Sequence, residues 1–307
     1  MTNTRSRGAL AAVMAFFIWG LFPLFWRLLG EVPALQLLAH RAVWCAVAVW
    51  ALLLVRGDLA WVKQLPVRLL VLLSVGGVLI SVNWGVYVWA VVTGHVIDTS
   101  LGYFITPLVS VLVAVAVLGE KLWAMQRLAV ALAGAGVLYL AWQLRAPPWI
   151  ALALAASFGT YGLVRKLAPF DSIRGLAVES GVMFVPAVLY LAWCEHTGQG
   201  AFLHGHWRDD LLLVAGGPIT AVPLVLFAYA AQRVSMLALG ILQYVSPSVA
   251  LLLGVWVFHE PFGGARQVAF GCIWAALLLF SIDALRRYRS VTTGSSTAGA
   301  AAGTAER

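Results

Sequence analysis

Runs of about 20 apolar residues, each long enough to cross roughly 30 Å of hydrocarbon, follow one another along the chain with short polar breaks between them. Ten of these runs are predicted as helices, at about 9–29, 34–55, 68–92, 98–118, 126–144, 148–166, 174–194, 211–231, 236–258 and 266–285. Hydrocarbon offers the backbone no partners, so each span must satisfy its own amides and carbonyls, which an α-helix does. The runs fall into two sets of five. Shifted by 140 residues, Gly76-Gly77 lands on Gly216-Gly217, Ala90 on Ala230, Thr106-Pro107 on Ser246-Pro247 and Glu120 on Glu260. An odd number of spans per copy sends the second copy into the membrane from the opposite side. The expected fold is an all-α membrane protein with ten transmembrane helices, built as two inverted five-helix repeats over 9–144 and 148–289. Residues 1–8 form an N-terminal flank and 290–307 a tail whose Ser/Thr/Gly/Ala composition reads as disordered. Inverted repeats point to a carrier in which one repeat rocks against the other around a site near the bilayer midplane.

Composition agrees: 62% of residues are hydrophobic, 10% are charged, and mean hydropathy is +0.93. The spans use nearly the whole chain, which leaves no room for a soluble catalytic domain. A net charge of +8 raises the question of nucleic acid, but its placement answers otherwise. With the N-terminus inside, fifteen basic residues fall in inner segments (Arg5, Arg7, Arg56, Lys63, Arg68, Lys121, Arg127, Arg165, Lys166, Arg174, Arg233, Arg286, Arg287, Arg289, Arg307). Only Arg27, Arg145, Arg208 and Arg266 fall outside, and Arg41 lies within a span. This is the positive-inside bias of a membrane protein with both termini cytoplasmic; the charge faces anionic lipid, not a polynucleotide.

Cys45, Cys194 and Cys272 are isolated and show no disulfide or metal spacing. The first span is too long for a signal-peptide core and lacks a persuasive cleavage site, so it is expected to remain as a helix. The segment from Glu195 to Asp210 carries His196, His204 and His206, without the partners that would fix a metal geometry. No metal and no cofactor are expected.

Polar groups inside spans are costly, and the exceptions are candidates for function. Span 2 carries His40 and Arg41, with Arg41 about 10 Å deep at about 1.5 Å per residue. Arg41 either faces a cavity or snorkels outward. Span 7 carries Glu179, which the shift places on Ala39, beside His40. It either lines the pathway from inside, as a coupling group, or pairs with Arg174 or Lys166. Asp98 is a second titratable candidate for coupling to a proton. Spans 4 and 9 contain Tyr103, Thr106 and Pro107, and Gln243, Tyr244, Ser246 and Pro247. Each proline removes a bond to the carbonyl four residues earlier, which frees Tyr103 and Gln243 to face a wet cavity or merely kinks the helix. Asn83 and Trp84 in span 3 and Trp19 in span 1 lie at comparable depth. Gly76, Gly77, Gly134, Gly136, Gly216, Gly217 and Gly271 are expected to let helices approach closely. Glu120 and Glu260 are expected to cap the next helix or pair locally.

Over about residues 8–288 the chain resembles the EamA-type drug/metabolite transporters, most closely their RarD branch. The resemblance rests on Phe17-Ile-Trp-Gly20, His40-Arg-Ala-Val-Trp44, Asn83-Trp84 with Trp89-Ala90, Ser100-Leu-Gly-Tyr-Phe-Ile-Thr-Pro-Leu108, Tyr161-Gly-Leu-Val-Arg-Lys166, Glu179 and Gln243-Tyr244 with Pro247. It implies a central cavity between the two repeats and a bacterial inner membrane protein that moves a small organic solute. Thr106 stands where the family pattern has asparagine, so the resemblance carries no ligand role to that position.

The leading reading is a secondary carrier, with a small solute and the lipid bilayer as partners and a proton as a candidate coupling ion. No Gly-rich loop ending in Gly-Lys-Ser/Thr is present, so ATP is not its direct driver. A channel or sensor is the alternative. An intramembrane enzyme would need a nucleophile with its base, or clustered metal ligands, and neither spacing occurs. Whether the protein is a monomer or a homodimer is left open by the sequence.

Overall fold

The computed structural model describes residues 2–93, 96–144, 149–259, 264, 267–283 and 286, and all regular structure among them is helical. The helices are α1 (Thr2–Arg27), α2 (Ala34–Val55), α3 (Val67–Val92), α4 (Val96–Ala116), α5 (Ala124–Leu144) and α6 (Trp149–Leu167). They continue with α7 (Ser172–His196), α8 (Trp207–Ala231), α9 (Met236–Leu242), α10 (Val245–Trp256) and α11 (Gln267–Asp283). Eight helical stretches are long and apolar enough to cross a membrane, with Met236–Trp256 taken as one; Gly102–Ala116 and Gln267–Asp283 are apolar but shorter. The flank expected at 1–8 is largely a continuation of α1. Residues 145–148, Glu260 and the tail lie outside the described residues.

Helix starts follow ordinary capping chemistry. The Asp171 carboxylate accepts from the amides of Ile173 and Arg174 at the head of α7, and the Ser235 hydroxyl accepts from Ala238 at the head of α9. Glu120, expected to cap the next helix or pair locally, does cap a helix, but not the next one. Instead it reaches across the chain and accepts from the Met236 and Leu237 amides at 2.8 and 2.9 Å. A carboxylate at a helix N-terminus satisfies orphan donors and complements the dipole.

Helix packing has an exchange pattern. α1 packs on α8 and α3 on α6; α2 packs on α8 and α3 on α7; α1 packs on α10 and α4 on α6. Swapping the halves of the chain converts each pair into its counterpart, while α2–α7 and α4–α9 map onto themselves. On such a self-paired contact, Tyr244 donates its phenol to the carbonyl of Phe104, the residue 140 positions earlier.

Glycines set two of these crossings. A Cβ at Gly217 would lie 2.3 Å from the Trp44 carbonyl carbon, and one at Gly77 2.8 Å from the Glu179 carbonyl oxygen. Backbones therefore touch where α8 crosses α2 and where α3 crosses α7. Gly136 packs on Ala269 and Cys272, whereas Gly134 and Gly271 meet nothing within 4 Å among the described residues, which give them no close crossing.

Pro107 and Pro247 differ. α4 runs unbroken through Pro107, since losing one amide leaves the flanking helical bonds intact. The span 236–256 is interrupted at Gln243-Tyr244, with Pro247 in the first turn of α10. The Gln243 carbonyl expected to be free accepts from the Ser246 amide at 3.2 Å.

Contacts between distant segments join ends expected on the same side. At one end, Arg174 holds Asp58 through two bonds of 2.9 and 2.7 Å, Lys166 donates to the Val234 carbonyl at 2.7 Å and Gln232 to that of Phe170 at 2.6 Å. At the other, Gln36 bonds the Gln199 carbonyl and the Ala201 amide at 2.6 and 2.8 Å, and the Trp89 and Trp149 rings lie 5.3 Å apart. Trp142, Trp193, Trp207 and Trp256 are exposed at this second end, as in an aromatic belt.

Candidate functional site

Neighbouring residues on a helix point about 100° apart, and this separates His40 from Arg41. His40 is buried and faces α7, with its ring 5.2 Å from that of Phe202 in the loop between α7 and α8. Here a cavity of about 450 Å³ lies between α2 and α7, lined by Gln36, His40, Trp44, Val188, Glu195 and Phe202 among others. The loop over it is tied down by the two Gln36 bonds and by contact of the His204 ring with the Glu195 carboxylate. The Trp44 indole N–H is buried without a hydrogen-bond partner.

Arg41 points the other way, into aromatic rings of α1 and α3. Its guanidinium carbon is 3.6 Å from the centre of the Trp84 ring, 5.5 Å from that of Trp26 and 5.7 Å from that of Phe22. Tyr87 and Tyr103 lie within electrostatic reach, with their rings 6.0 Å apart and Tyr103 half-exposed. Arg41 Nε is buried and unpartnered, and no carboxylate bridges to Arg41 among the described residues.

The third cluster holds Glu179. Neither Arg174 nor Lys166 is its partner, because Arg174 is taken by Asp58 and Lys166 by backbone carbonyls. Arg165 donates to Glu179 Oε1 at 3.1 Å, and the Tyr161 phenol donates to Oε2 at 3.1 Å. Arg165 and Tyr161 are fully buried and Glu179 nearly so. Small residues make the space: a Cβ at Gly175 would lie 2.3 Å from an Arg165 nitrogen, and one at Gly76 3.0 Å from Glu179 Oε1. Arg41 is thus not the lone cation within the spans, and Arg165, expected at the cytoplasmic surface, is a core residue of α6. Tyr161 and Arg165, four apart on one helix face, were the available signal.

The remaining candidates are mostly committed to the scaffold. Asn83 donates to the Leu154 carbonyl at 2.9 Å and the Ser157 hydroxyl at 3.0 Å, fastening α3 to α6. Thr106 donates to the Gly102 carbonyl at 2.7 Å, inside the turn that Pro107 disturbs. Gln243 donates to the Ser110 hydroxyl at 3.0 Å and, like Tyr244, is buried. Trp19 sits among Phe16, Phe158 and Phe227 at 5.6–5.8 Å. Ser246 is half-buried near the head of α10, and the side chain of Asp98 lies outside the described residues. Arg41, Trp84 and Tyr103 are brought together; the others sequence reasoning grouped with them are not.

Comparison with known proteins fits this geometry. The EamA-like transporter family matches the chain twice, over residues 6–142 and 147–282. Protein RarD of Streptomyces exfoliatus is 44% identical, with 94% of this chain and 92% of that one aligned. The uncharacterized transporter YojE of Bacillus subtilis (strain 168) is 42% identical, over 92% of this chain and 96% of its own. A protein of known crystal structure, 22% identical, superposes with a TM-score of 0.68 over 89% of this chain and 96% of its own, a likeness of fold alone.

Proposed function

The chain belongs to the EamA-like transporter family, and from that premise we propose that it is a secondary carrier moving a small organic solute across the bacterial inner membrane by alternating access. The moving halves are the inverted repeats 9–144 and 148–289. The double family match, the helix contacts that exchange between halves, and the Tyr244–Phe104 bond between equivalent positions support this division.

One observation carries the mechanism. The α2–α7 crossing holds a cavity of about 450 Å³ at one end and is shut at the other. There Trp50 donates to the Ala177 carbonyl at 3.1 Å, Trp61 packs between Trp50 and Phe170, and Arg174 grips Asp58. The shut end is the one rich in Lys and Arg, so the reading places it, with both chain termini, in the cytoplasm. A carrier open outward and closed inward has this shape, and its return stroke must break the Asp58–Arg174 bridge. The pair is partly exposed and joins the two repeats, so it is weak enough to release, and the Trp50, Trp61 and Phe170 packing closes the end with it.

Asp58→Cys and Arg174→Cys, introduced after Cys45, Cys194 and Cys272 are replaced, can be bridged by a short reducible bifunctional thiol reagent. With Val43→Cys as the reporter in the cavity, bridging should raise labelling by an impermeant maleimide from the periplasmic side severalfold and stall turnover. Reducing the bridge and removing the reductant before labelling should return both the labelling rate and turnover to their unbridged values. Labelling and turnover indifferent to the bridge would overturn alternating access at this crossing.

A further inference from the structure

Four basic side chains in the core and near helix ends find oxygen acceptors. Arg165 has Glu179, Arg174 has Asp58, Lys166 has the Val234 carbonyl, and Arg233 has the Tyr229 carbonyl. Arg41 has aromatic faces. A ring attracts a cation through its quadrupole but accepts nothing from in-plane N–H groups. Trp84, stacked at 3.6 Å, therefore holds the guanidinium in place without neutralising it or occupying its donor fork.

Tyr87 and Tyr103 lie within electrostatic reach of the guanidinium, with their rings 6.0 Å apart. Five acids are used elsewhere, Asp58 and Glu179 in ion pairs, Glu195 against His204, Glu120 and Asp171 as helix caps, and among the described residues none bridges to Arg41. Part of Arg41 and half of Tyr103 stay accessible, and among the described residues no heavy atom lies within 4 Å of a Cβ placed at Gly85, between Trp84 and Tyr87 on α3. A preformed cation with its donors unspent is a receptor waiting for an acceptor.

We propose that Arg41, held by Trp84, Trp26 and Phe22, is the anion-binding centre of this carrier and that the transported solute bears a carboxylate. The inference rests on the carrier reading and adds the substrate class. A guanidinium edge matches the two oxygens of a carboxylate, and the ring walls accept an apolar or planar remainder of the solute. One uncompensated positive charge favours a monoanion over a phosphate dianion, since no second cation joins Arg41 among the described residues.

The full-length protein in nanodiscs should report binding through tryptophan fluorescence, because Trp84 and Trp26 flank the site. Benzoate should give a saturable change with a Kd at least tenfold lower than that of benzamide, its neutral isostere, or of inorganic phosphate. Arg41→Met should raise the benzoate Kd to the benzamide value while melting temperature and gel-filtration profile stay at wild type. Arg41→Lys, which keeps the charge but loses the fork, should fall between, and it serves as the informative variant if methionine does not fold. Equal binding of benzoate and benzamide, no saturable benzoate response, or a benzoate Kd unchanged in the Arg41 variants overturns the proposal. Benzoate bound through Arg41 but never translocated would leave the anion site standing and sink the carrier reading; translocation independent of Arg41 would do the reverse.

Discussion

Removing one member of the buried Arg165–Glu179 pair should cost about 3–5 kcal/mol, enough to abolish a stable fold, because the survivor is left as an uncompensated charge. Arg165→Met and Glu179→Gln should each broaden the gel-filtration profile of a fluorescent fusion and lower its melting temperature sharply in detergent. The double variant Arg165→Met/Glu179→Met should recover much of the loss, since an apolar pair of similar volume satisfies the same cavity. A glutamate alone in a span would tolerate the amide. This one is hydrogen-bonded to Arg165 and Tyr161 inside a pocket emptied for them by Gly175 and Gly76. Single variants that melt like wild type, with no coupling in the double, would contradict a structural pair.

The second large effect is steric. Gly217→Leu should prevent folding, and even Gly217→Ala should cost about 1–3 kcal/mol, the usual range for overpacking. Its Cβ would meet the Trp44 carbonyl carbon and oxygen at 2.3 and 2.4 Å, and backbone cannot step aside as a flexible side chain can. Gly134→Ala is the control: in the interior of α5, with nothing within 4 Å among the described residues, it should be neutral or gain up to about 1 kcal/mol from helix propensity. Equal effects at the two positions would remove Gly217 as a crossing point of α8 and α2.

Most spans were legible from length and apolarity, as with α2, expected at 34–55 and found at Ala34–Val55, whereas the apolar helices Gly102–Ala116 and Gln267–Asp283 fall short of a full span among the described residues. The glycine crossings at Gly77 and Gly217 were legible through the 140-residue shift, which aligns them. The rotation of each helix was not legible. A soluble helix announces its buried face by amphipathic spacing, whereas a spanning helix is apolar toward lipid and protein alike. Depth singled out Asn83, and the prolines in spans 4 and 9 singled out Thr106, Gln243 and Tyr244, but neither signal gives a direction, and their side chains turn to Leu154, Gly102, Ser110 and Phe104. The same blindness hid Arg165. It shares its depth with Lys166, but one points into the core and the other to the Val234 carbonyl at the helix end.

The central claim is that this chain carries solute by exposing one site to each side in turn, and counterflow in proteoliposomes measures it most directly. Vesicles preloaded with amino acids, nucleobases, phenicols or aromatic carboxylates would be tested for uptake of the labelled compound from outside. The account predicts that at least one compound enters saturably and is accelerated by the same compound inside, and that bridging Asp58→Cys to Arg174→Cys arrests the exchange until the bridge is reduced. A flux that rises linearly with concentration, ignores the solute on the far side and survives the bridge would contradict it.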